Sequence, residues 1–216
     1  MFRLLVGLLG VTSLLVSASL LFGGGSLLWV DTAFTDAEGF VNSVPVEIEV
    51  DGYALVAGPA EIDIEPDLPI EVGELATIRL RAESQSASQE IFLGVAEASA
   101  VEAFLGGATY AVIDEFAEDS FEWSYKVSES EQAPAAPTTV DIWMISTYGT
   151  GEQVLDWEVR SGDVSFVVMN ERATEGMAFE ASVGARVPLV KPLGVGLLIG
   201  GGVTLALGTI LLAIAL

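Results

Sequence analysis

The sequence predicts a mainly β protein, with a single antiparallel β-sandwich domain and one short helix, flanked by N- and C-terminal transmembrane helices. Three observations support this prediction. Residues 4–30 and 193–216 contain no Asp, Glu, Lys or Arg. Between these two runs, apolar residues recur at every second position in several segments, as in strands that bury one face. Glycine-containing turn signals separate those segments, as in sheets built from short strands.

Each uncharged run is long enough to cross a lipid bilayer, whose hydrocarbon core needs about 20 apolar residues of helix. We therefore predict transmembrane helices over residues 1–30 and 193–216. A cleaved signal peptide is the alternative for the first run, but its apolar region would be only about 7–15 residues long. Residues 23–25 are all glycine. Because glycine is a poor helix former, they predict the outer end of the first span.

The basic residues near the two runs predict the orientation. Arg3 precedes the first run, and the positive-inside rule then places both termini in the cytoplasm and residues 31–192 outside the cell membrane. Arg186 and Lys191 precede the second run and oppose this orientation, but long domains translocate largely regardless of charge. Only three residues precede the first run and none follows the second, so we expect no cytoplasmic domain.

The central segment, residues 31–192, is strongly acidic. It holds all 31 acidic residues of a chain whose net charge is −23. Nucleic acid is itself a polyanion, so we expect it not to be a partner. The chain has no Cys and no His, which excludes Cys-ligated zinc, thiol nucleophiles and His-dependent triads. We predict no cofactor, no metal site and no identifiable small-molecule substrate.

The central segment alternates apolar and polar residues where strands are predicted. Strands with one wet face, as in antiparallel sheets, are predicted over residues 44–50, 77–81, 121–127 and 155–159. Residues 140–145 and 164–169 are apolar on both faces and predict central strands. In total we expect eight or nine strands, which favours a sandwich over a barrel.

Turn signals lie at residues 51–52, 149–151 and 161–163. The last separates two predicted strands and indicates a tight hairpin. One segment departs from the strand pattern, because residues 97–105 have apolar side chains at helical spacing and stop at Gly106-Gly107. This segment predicts a short helix with a glycine cap.

Carboxylates are the abundant reactive groups, and they suggest a paired-carboxylate hydrolase as one alternative function. Such chemistry needs two carboxyl groups facing each other across a cleft. The densest group is Glu115, Glu118, Asp119 and Glu122. Thirty-one acids produce such groups by chance, so we interpret this one as solvated surface.

Two further patterns suggest a sensing domain. Glu61, Asp63, Glu65 and Asp67 alternate, so in a strand their oxygens would share one face, and Ca²⁺ binds six to eight oxygens. No EF-hand loop is present. An aromatic stripe could instead stack on a sugar or peptide, although we favour a core role for it; it comprises Phe121, Trp123 and Tyr125.

The second uncharged run carries Gly196 and Gly200 at a spacing of four. Small residues at this spacing allow membrane helices to approach closely. We therefore expect a helix contact through this glycine-rich helix, either with the first helix of the same chain or with other membrane-protein subunits.

The order of these features resembles an uncharacterised group of two-span membrane proteins best represented in actinobacteria. The resemblance is carried by DGYAL (51–55), IFLGVA (91–96), VEAFLG (101–106), GTGEQVLDW (149–157), VVMN (167–170) and GARVP (184–188). It implies the two-span architecture with an extracytoplasmic β domain and implies no activity.

Taken together, the sequence predicts a membrane-tethered extracytoplasmic interaction or accessory module that is not an enzyme. Two alternatives stay open. One is a paired-carboxylate surface hydrolase, and the other is a cation- or peptide-sensing domain coupled to a membrane partner.

Overall fold

The computed structural model describes residues 2–62, 76–117, 120–126 and 132–216. These residues form two compact units, Met1–Val41 with Val187–Leu216, and Asn42–Arg186. Their helices are α1 (Phe2–Phe34), α2 (Ala98–Leu105) and α3 (Val190–Ala215), with a 3₁₀ turn at Pro137–Thr139. Their strands are β1 (Val41–Asn42), β2 (Val46–Val50), β3 (Ala54–Ile62), β4 (Thr77–Ser84), β5 (Ile91–Glu97), β6 (Tyr110–Ala117), β7 (Ser120–Lys126), β8 (Ile145–Gly149), β9 (Glu152–Glu158), β10 (Gly162–Asn170) and β11 (Met177–Arg186).

The predicted apolar helices at the two ends are confirmed. Helix α1 has 33 residues and α3 has 26, so they are about 50 Å and 39 Å long, against a bilayer core of about 30 Å. Both are long and apolar enough to cross a membrane. Helix α1 does not break at residues 23–25 but continues through these glycines to Phe34, and the position of the outer end of the span stays a prediction.

The central unit contains two sheets. In the first sheet β11 lies between β4 and the short strands β1 and β2, and β9 is the outer neighbour of β4. The second sheet has the order β7-β6-β3-β10-β5-β8. The registers of β10 with β3 and β5, and of β11 with β2 and β4, are antiparallel as predicted, whereas the register of β3 with β6 is parallel. Parallel neighbours need a crossover, and here the chain passes through β4, β5 and α2 before β6 returns beside β3.

The two sheets pack face to face around a hydrophobic core, as predicted for a sandwich. Trp157 of β9 contacts Phe166 of β10 across the sheets, with ring centroids 5.5 Å apart. The predicted central strand over residues 164–169 is confirmed, because β10 lies between β3 and β5. The predicted short helix is also confirmed as α2, which buries Val101 and Leu105. The predicted glycine cap is Gly106, which ends the helix in a right-handed conformation with a φ of −60°.

The turn at residues 161–163 does not form the predicted hairpin. It joins β9 of the first sheet to β10 of the second. The turns at 51–52 and 149–151 likewise lead from one sheet to the other. Turn residues reverse the chain locally, but burial of each strand's apolar face against the opposite sheet decides which neighbour it pairs with.

The predicted central strand over residues 140–145 is also wrong. In the described part of the chain, only Ile145 belongs to a strand there, and β8 lies at the edge of the second sheet. Ile142 and Trp143 of this segment pack against the core. The Trp143 ring lies against Phe92 and Phe104, with ring centroids 4.9 Å and 5.7 Å away. Its indole Nε1 donates a hydrogen bond to the Pro137 carbonyl at 2.8 Å, which satisfies the ring's single donor.

Candidate functional site

The contact between α1 and α3 is built from small residues at a spacing of seven. The buried small residues are Gly10, Ser17 and Gly24 on α1, and Gly194, Gly201 and Gly208 on α3. A spacing of seven keeps these positions on one face when two helices wind round each other with a left-handed twist. The helices are antiparallel, because Gly10 lies beside Gly208 and Gly24 beside Gly194.

At the glycine positions the two backbones approach so closely that an added Cβ would be crowded. A Cβ on Gly24 would lie 2.7 Å from the Gly194 carbonyl oxygen. The same close approach allows hydrogen bonds between the helices. The Ser17 hydroxyl donates to the Gly201 carbonyl at 2.7 Å, and the Ser13 hydroxyl donates to the Thr204 carbonyl at 2.9 Å. In lipid, close van der Waals packing and such hydrogen bonds replace the hydrophobic drive that water supplies.

The predicted pair, Gly196 and Gly200, is not on this contact face. A Cβ on Gly196 would meet nothing within 4 Å, and one on Gly200 would meet only Leu20 Cδ1 at 4.0 Å. The sequence signal for the observed contact is the spacing of seven, which occurs on both helices, and not the spacing of four on α3. Gly196 therefore lies on the exposed side of α3, and the half-buried Gly200 lies at the edge of the contact with α1.

The carboxylate candidates fall largely outside the described side chains. The β6–β7 register places Glu115 opposite Glu122, but nothing is described of either side chain. Glu118 and Asp119 lie outside the described residues. So do the alternating acids from Asp63 onward, and the side chains of the aromatic stripe in β7. Within the described ranges, no group of three or more acidic side chains is arranged to hold a metal ion.

One carboxylate on the first sheet is held by a buried arginine. The Arg79 side chain is 9% exposed and donates to Asp156 through Nε at 2.6 Å and through Nη2 at 2.7 Å. The hydrogen bond from Arg79 holds the pKa of Asp156 below its ordinary value. The two residues are direct neighbours in the β4–β9 register. The two parallel hydrogen bonds between the guanidinium and the carboxylate stabilise the sheet. The lowered pKa keeps the Asp156 carboxylate ionised. An ionised carboxylate suits an ion pair and not a general acid.

A partly open apolar cavity lies between the two sheets of the sandwich, and we call it the inner chamber. Its volume is about 200 Å³. It is lined by Ile48, Leu55, Ala57, Ile78, Leu80, Arg81, Leu93, Ile113, Phe166, Val168, Phe179, Ala181, Ser182 and Val183. Twelve of these fourteen residues are apolar, so the inner chamber matches an apolar ligand.

A second cavity, the outer chamber, adjoins the inner one. Its volume is about 560 Å³, and its lining includes Gly58, Pro59, Ala60, Val112 and Lys126. Ala57, Ile113 and Phe166 line both chambers.

Strand β3 is irregular where the outer chamber lies. Its parallel pairing with β6 ends at Ala57, just before Gly58-Pro59, and proline has no N–H to extend the ladder. Gly58 has a φ of +119°, and a Cβ on it would lie 2.9 Å from the Val164 carbonyl oxygen. On the other side of β3, the register with β10 shifts between Val164 and Phe166. Both ladders of β3 are therefore interrupted at the same level, beside the outer chamber.

No family model matches this chain, and no curated protein matches it. The observed architecture is two apolar terminal helices around a central β domain. The likeness to the actinobacterial two-span group therefore rests on the sequence features alone.

Proposed function

We propose that this protein is a non-enzymatic, membrane-tethered interaction or accessory module with its acidic β-sandwich outside the cell membrane. In this proposal, α1 and α3 form the anchor and α3 also contacts the helices of other membrane-protein subunits. The same architecture supports placing the chain with the two-span group best represented in actinobacteria.

The observation that carries the proposal is the distribution of glycines around α3. Gly194, Gly201 and Gly208 are buried against α1, so the helix pair is already closely packed within one chain. Gly196 faces open space, and nearby apolar residues of α3 are exposed, including Ile199 at 64% and Val203 at 55%. A second face that combines glycine with aliphatic side chains would allow another helix to approach closely.

The proposal is tested by replacing the outward glycines with a bulky residue. The double variant Gly196→Leu, Gly200→Leu should lose complexes seen by blue-native electrophoresis of mild-detergent extracts. Its matched control is Gly202→Leu, which also faces open space but lies about 120° or more around the helix from both. Unchanged complexes with the same co-purifying chains in the double variant would refute the accessory-subunit proposal.

The orientation is tested separately with single cysteines, because the natural chain has none. Val44, which is 80% exposed, should react as Val44→Cys with an impermeant maleimide in intact cells. Phe2→Cys, beside Arg3, should react only after the membrane is opened. The reverse pattern would place the sandwich in the cytoplasm.

A further inference from the structure

We propose that the β-sandwich binds a single-chain alkyl carboxylate, with the alkyl tail in the inner chamber and the carboxylate beside Lys126 in the outer chamber. This binding site goes beyond the proposed interaction function and depends only on residues of Asn42–Arg186.

The inner chamber fits one alkyl chain in size and chemistry. An engineered apolar cavity of about 150 Å³ stays dry and binds benzene, so a cavity of about 200 Å³ accommodates a chain segment but not two chains side by side. Leu55, Leu93 and Phe179 form buried walls, whereas Ile78 and Leu80 are only partly buried. The chamber is therefore apolar at its base and accessible along one side.

The outer chamber supplies the charge that selects a carboxylate. Lys126 lies in its lining, and the Lys126 ammonium is 5.8 Å from the centroid of the Tyr110 ring. Among the described residues of this lining, none is acidic. On a chain with 31 acidic and eight basic residues, most of the surface repels an anion. A cation next to an apolar cavity then favours an anionic amphiphile over a neutral one.

Three residues shared by the two chambers determine the pose, since Ala57, Ile113 and Phe166 line both. Lys126 lies opposite Tyr110 in the β6–β7 register, so it is on the other face of the second sheet from Ile113. A ligand held beside Lys126 would therefore reach the inner chamber where the β3–β6 pairing ends at Ala57. The interruption of both β3 ladders at Gly58-Pro59 lies along that route. A single unbranched chain suits such a passage because it has one narrow cross-section along its whole length.

The test uses the full chain in zwitterionic lipid nanodiscs and alkanoates of increasing length that carry bromine at the terminal carbon. Trp157 contacts Phe166, a wall of both chambers, so a bound tail should quench Trp157 fluorescence. The Trp157→Phe variant should remove that component of the quenching. The affinity should rise about fourfold for each added methylene, since each buried CH₂ contributes about 0.8 kcal/mol, and should stop rising once the chamber is full.

Two variants separate the head from the tail. Lys126→Gln should weaken carboxylate binding up to about fivefold, the range of a partly exposed ion pair, and should leave binding of the matching bromoalkanol unchanged. Its control is Arg160→Gln, an exposed cation outside both chamber linings. Ala57→Phe should block the passage and abolish Trp157 quenching, whereas Ala103→Phe on the exposed face of α2 should not.

Three outcomes would overturn the inference. One is quenching that persists in full in Trp157→Phe, which would indicate partition into the bilayer. Another is an affinity that keeps rising with chain length without a plateau. The third is equal affinity for alkanoates and alkanols in the natural chain. Lys126→Gln changes one exposed side chain, so the variant should fold. Its affinity for the alkanoate therefore tests the contact between Lys126 and the carboxylate even if Ala57→Phe does not fold.

Discussion

The helix pair and the β-sandwich bury opposite kinds of residue. In the sandwich, the largest side chains without exposed surface include Phe179, Leu93 and Leu105. In the helix pair, the buried positions are mostly glycines, together with Val6 and Ser17, and many large apolar side chains are exposed. Leu4, for example, is 80% exposed and Phe22 is 80% exposed.

The difference is expected if the sandwich faces water and the helix pair faces lipid. Water drives large apolar side chains into a core, because their contact with water is unfavourable. Lipid tails are as apolar as leucine, so burying leucine there gains little, and close backbone packing decides the contact. The same polypeptide therefore contains two packing rules, and substitutions should affect the two regions in opposite ways.

The largest expected effect is in the sandwich core. Phe179→Ala should lower the free energy of unfolding by about 3–5 kcal/mol, because it removes a large buried side chain and leaves a cavity. Denaturant unfolding of the full chain, followed by tryptophan fluorescence, measures this loss. Val44→Ala is the control, since Val44 is 80% exposed and should change stability by less than about 0.5 kcal/mol. Equal losses in the two variants would contradict the assigned core.

In the helix pair, replacing a buried glycine with a larger residue should be destabilising. In the sandwich, the destabilising change is instead the truncation of a large buried side chain. A Cβ on Gly10 would lie 2.9 Å from Leu212 Cγ and 3.1 Å from the Leu212 backbone nitrogen. Gly10→Leu should therefore separate the helices at a cost of about 1–3 kcal/mol or more. Gly25→Leu is the control, because a Cβ on Gly25 meets nothing within 4 Å.

An introduced disulfide between α1 and α3 measures whether Gly10→Leu separates the two helices. A Cβ on Gly7 would lie 3.5 Å from Ala215 Cβ, which is within the range for a disulfide. The pair Gly7→Cys, Ala215→Cys should crosslink readily on oxidation, and the chain has no other cysteine. Gly10→Leu should slow the crosslinking severalfold. Crosslinking as fast as in the Gly25→Leu control would show that the helices do not depend on the small contact face.

A smaller effect is expected from the hydrogen bond between the helices. Ser17→Ala removes the bond from the Ser17 hydroxyl to the Gly201 carbonyl and should weaken the helix pair by about 0.6–1.7 kcal/mol. Steric trapping of the separated helices gives this energy. Ser19→Ala is a matched control, because the Ser19 hydroxyl donates to Leu15 within its own helix. A weakening that is the same in both variants would mean that helix propensity, and not the bond between helices, is responsible.

The smallest effect should be the pH dependence contributed by Asp156. Its pKa is lowered below 3.8 in the folded chain, chiefly by the hydrogen bond from Arg79. The associated stability is therefore present above the unfolded pKa and is lost as the pH falls below about 3.8 through the folded pKa. Because the Asp156 side chain is 42% exposed, the loss should stay below about 1 kcal/mol. Asp156→Asn should flatten the acid limb of a melting curve, and an unchanged limb would contradict the assignment.

The alternating pattern predicted which face of a strand is buried more reliably than it predicted which strand is its neighbour in the sheet. Leu155 and Trp157 alternate with acidic residues in the sequence and are buried in β9, because the side-chain period of a strand is a local property. The turn at residues 161–163 was assigned to a hairpin, yet it joins strands of different sheets. A turn that closes a hairpin and a turn that leads to the other sheet use the same kinds of residue. The local sequence therefore does not distinguish the two kinds of turn.

The candidate binding site was not predictable, and particular residues explain why. Gly58 reads as an ordinary turn glycine, but its role depends on the carbonyl of Val164, which a Cβ would approach to 2.9 Å. Lys126 is one basic residue among eight, and its sequence neighbours do not reveal the cavity next to it. Trp143 likewise suggested a central strand, because the sequence cannot show that Phe92 and Phe104 lie on either side of its ring.

By itself, the sequence determined that the two ends are apolar helices and that the middle folds as sheets. Composition and period operate within short stretches of chain, so they can be read without knowing the fold. Only the tertiary structure decided which glycines hold the helices together, which sheet each strand joins, and where the two chambers lie. The physical reason is that these features depend on contacts between residues far apart in the sequence, as with Ser17 and Gly201, which are separated by 184 positions.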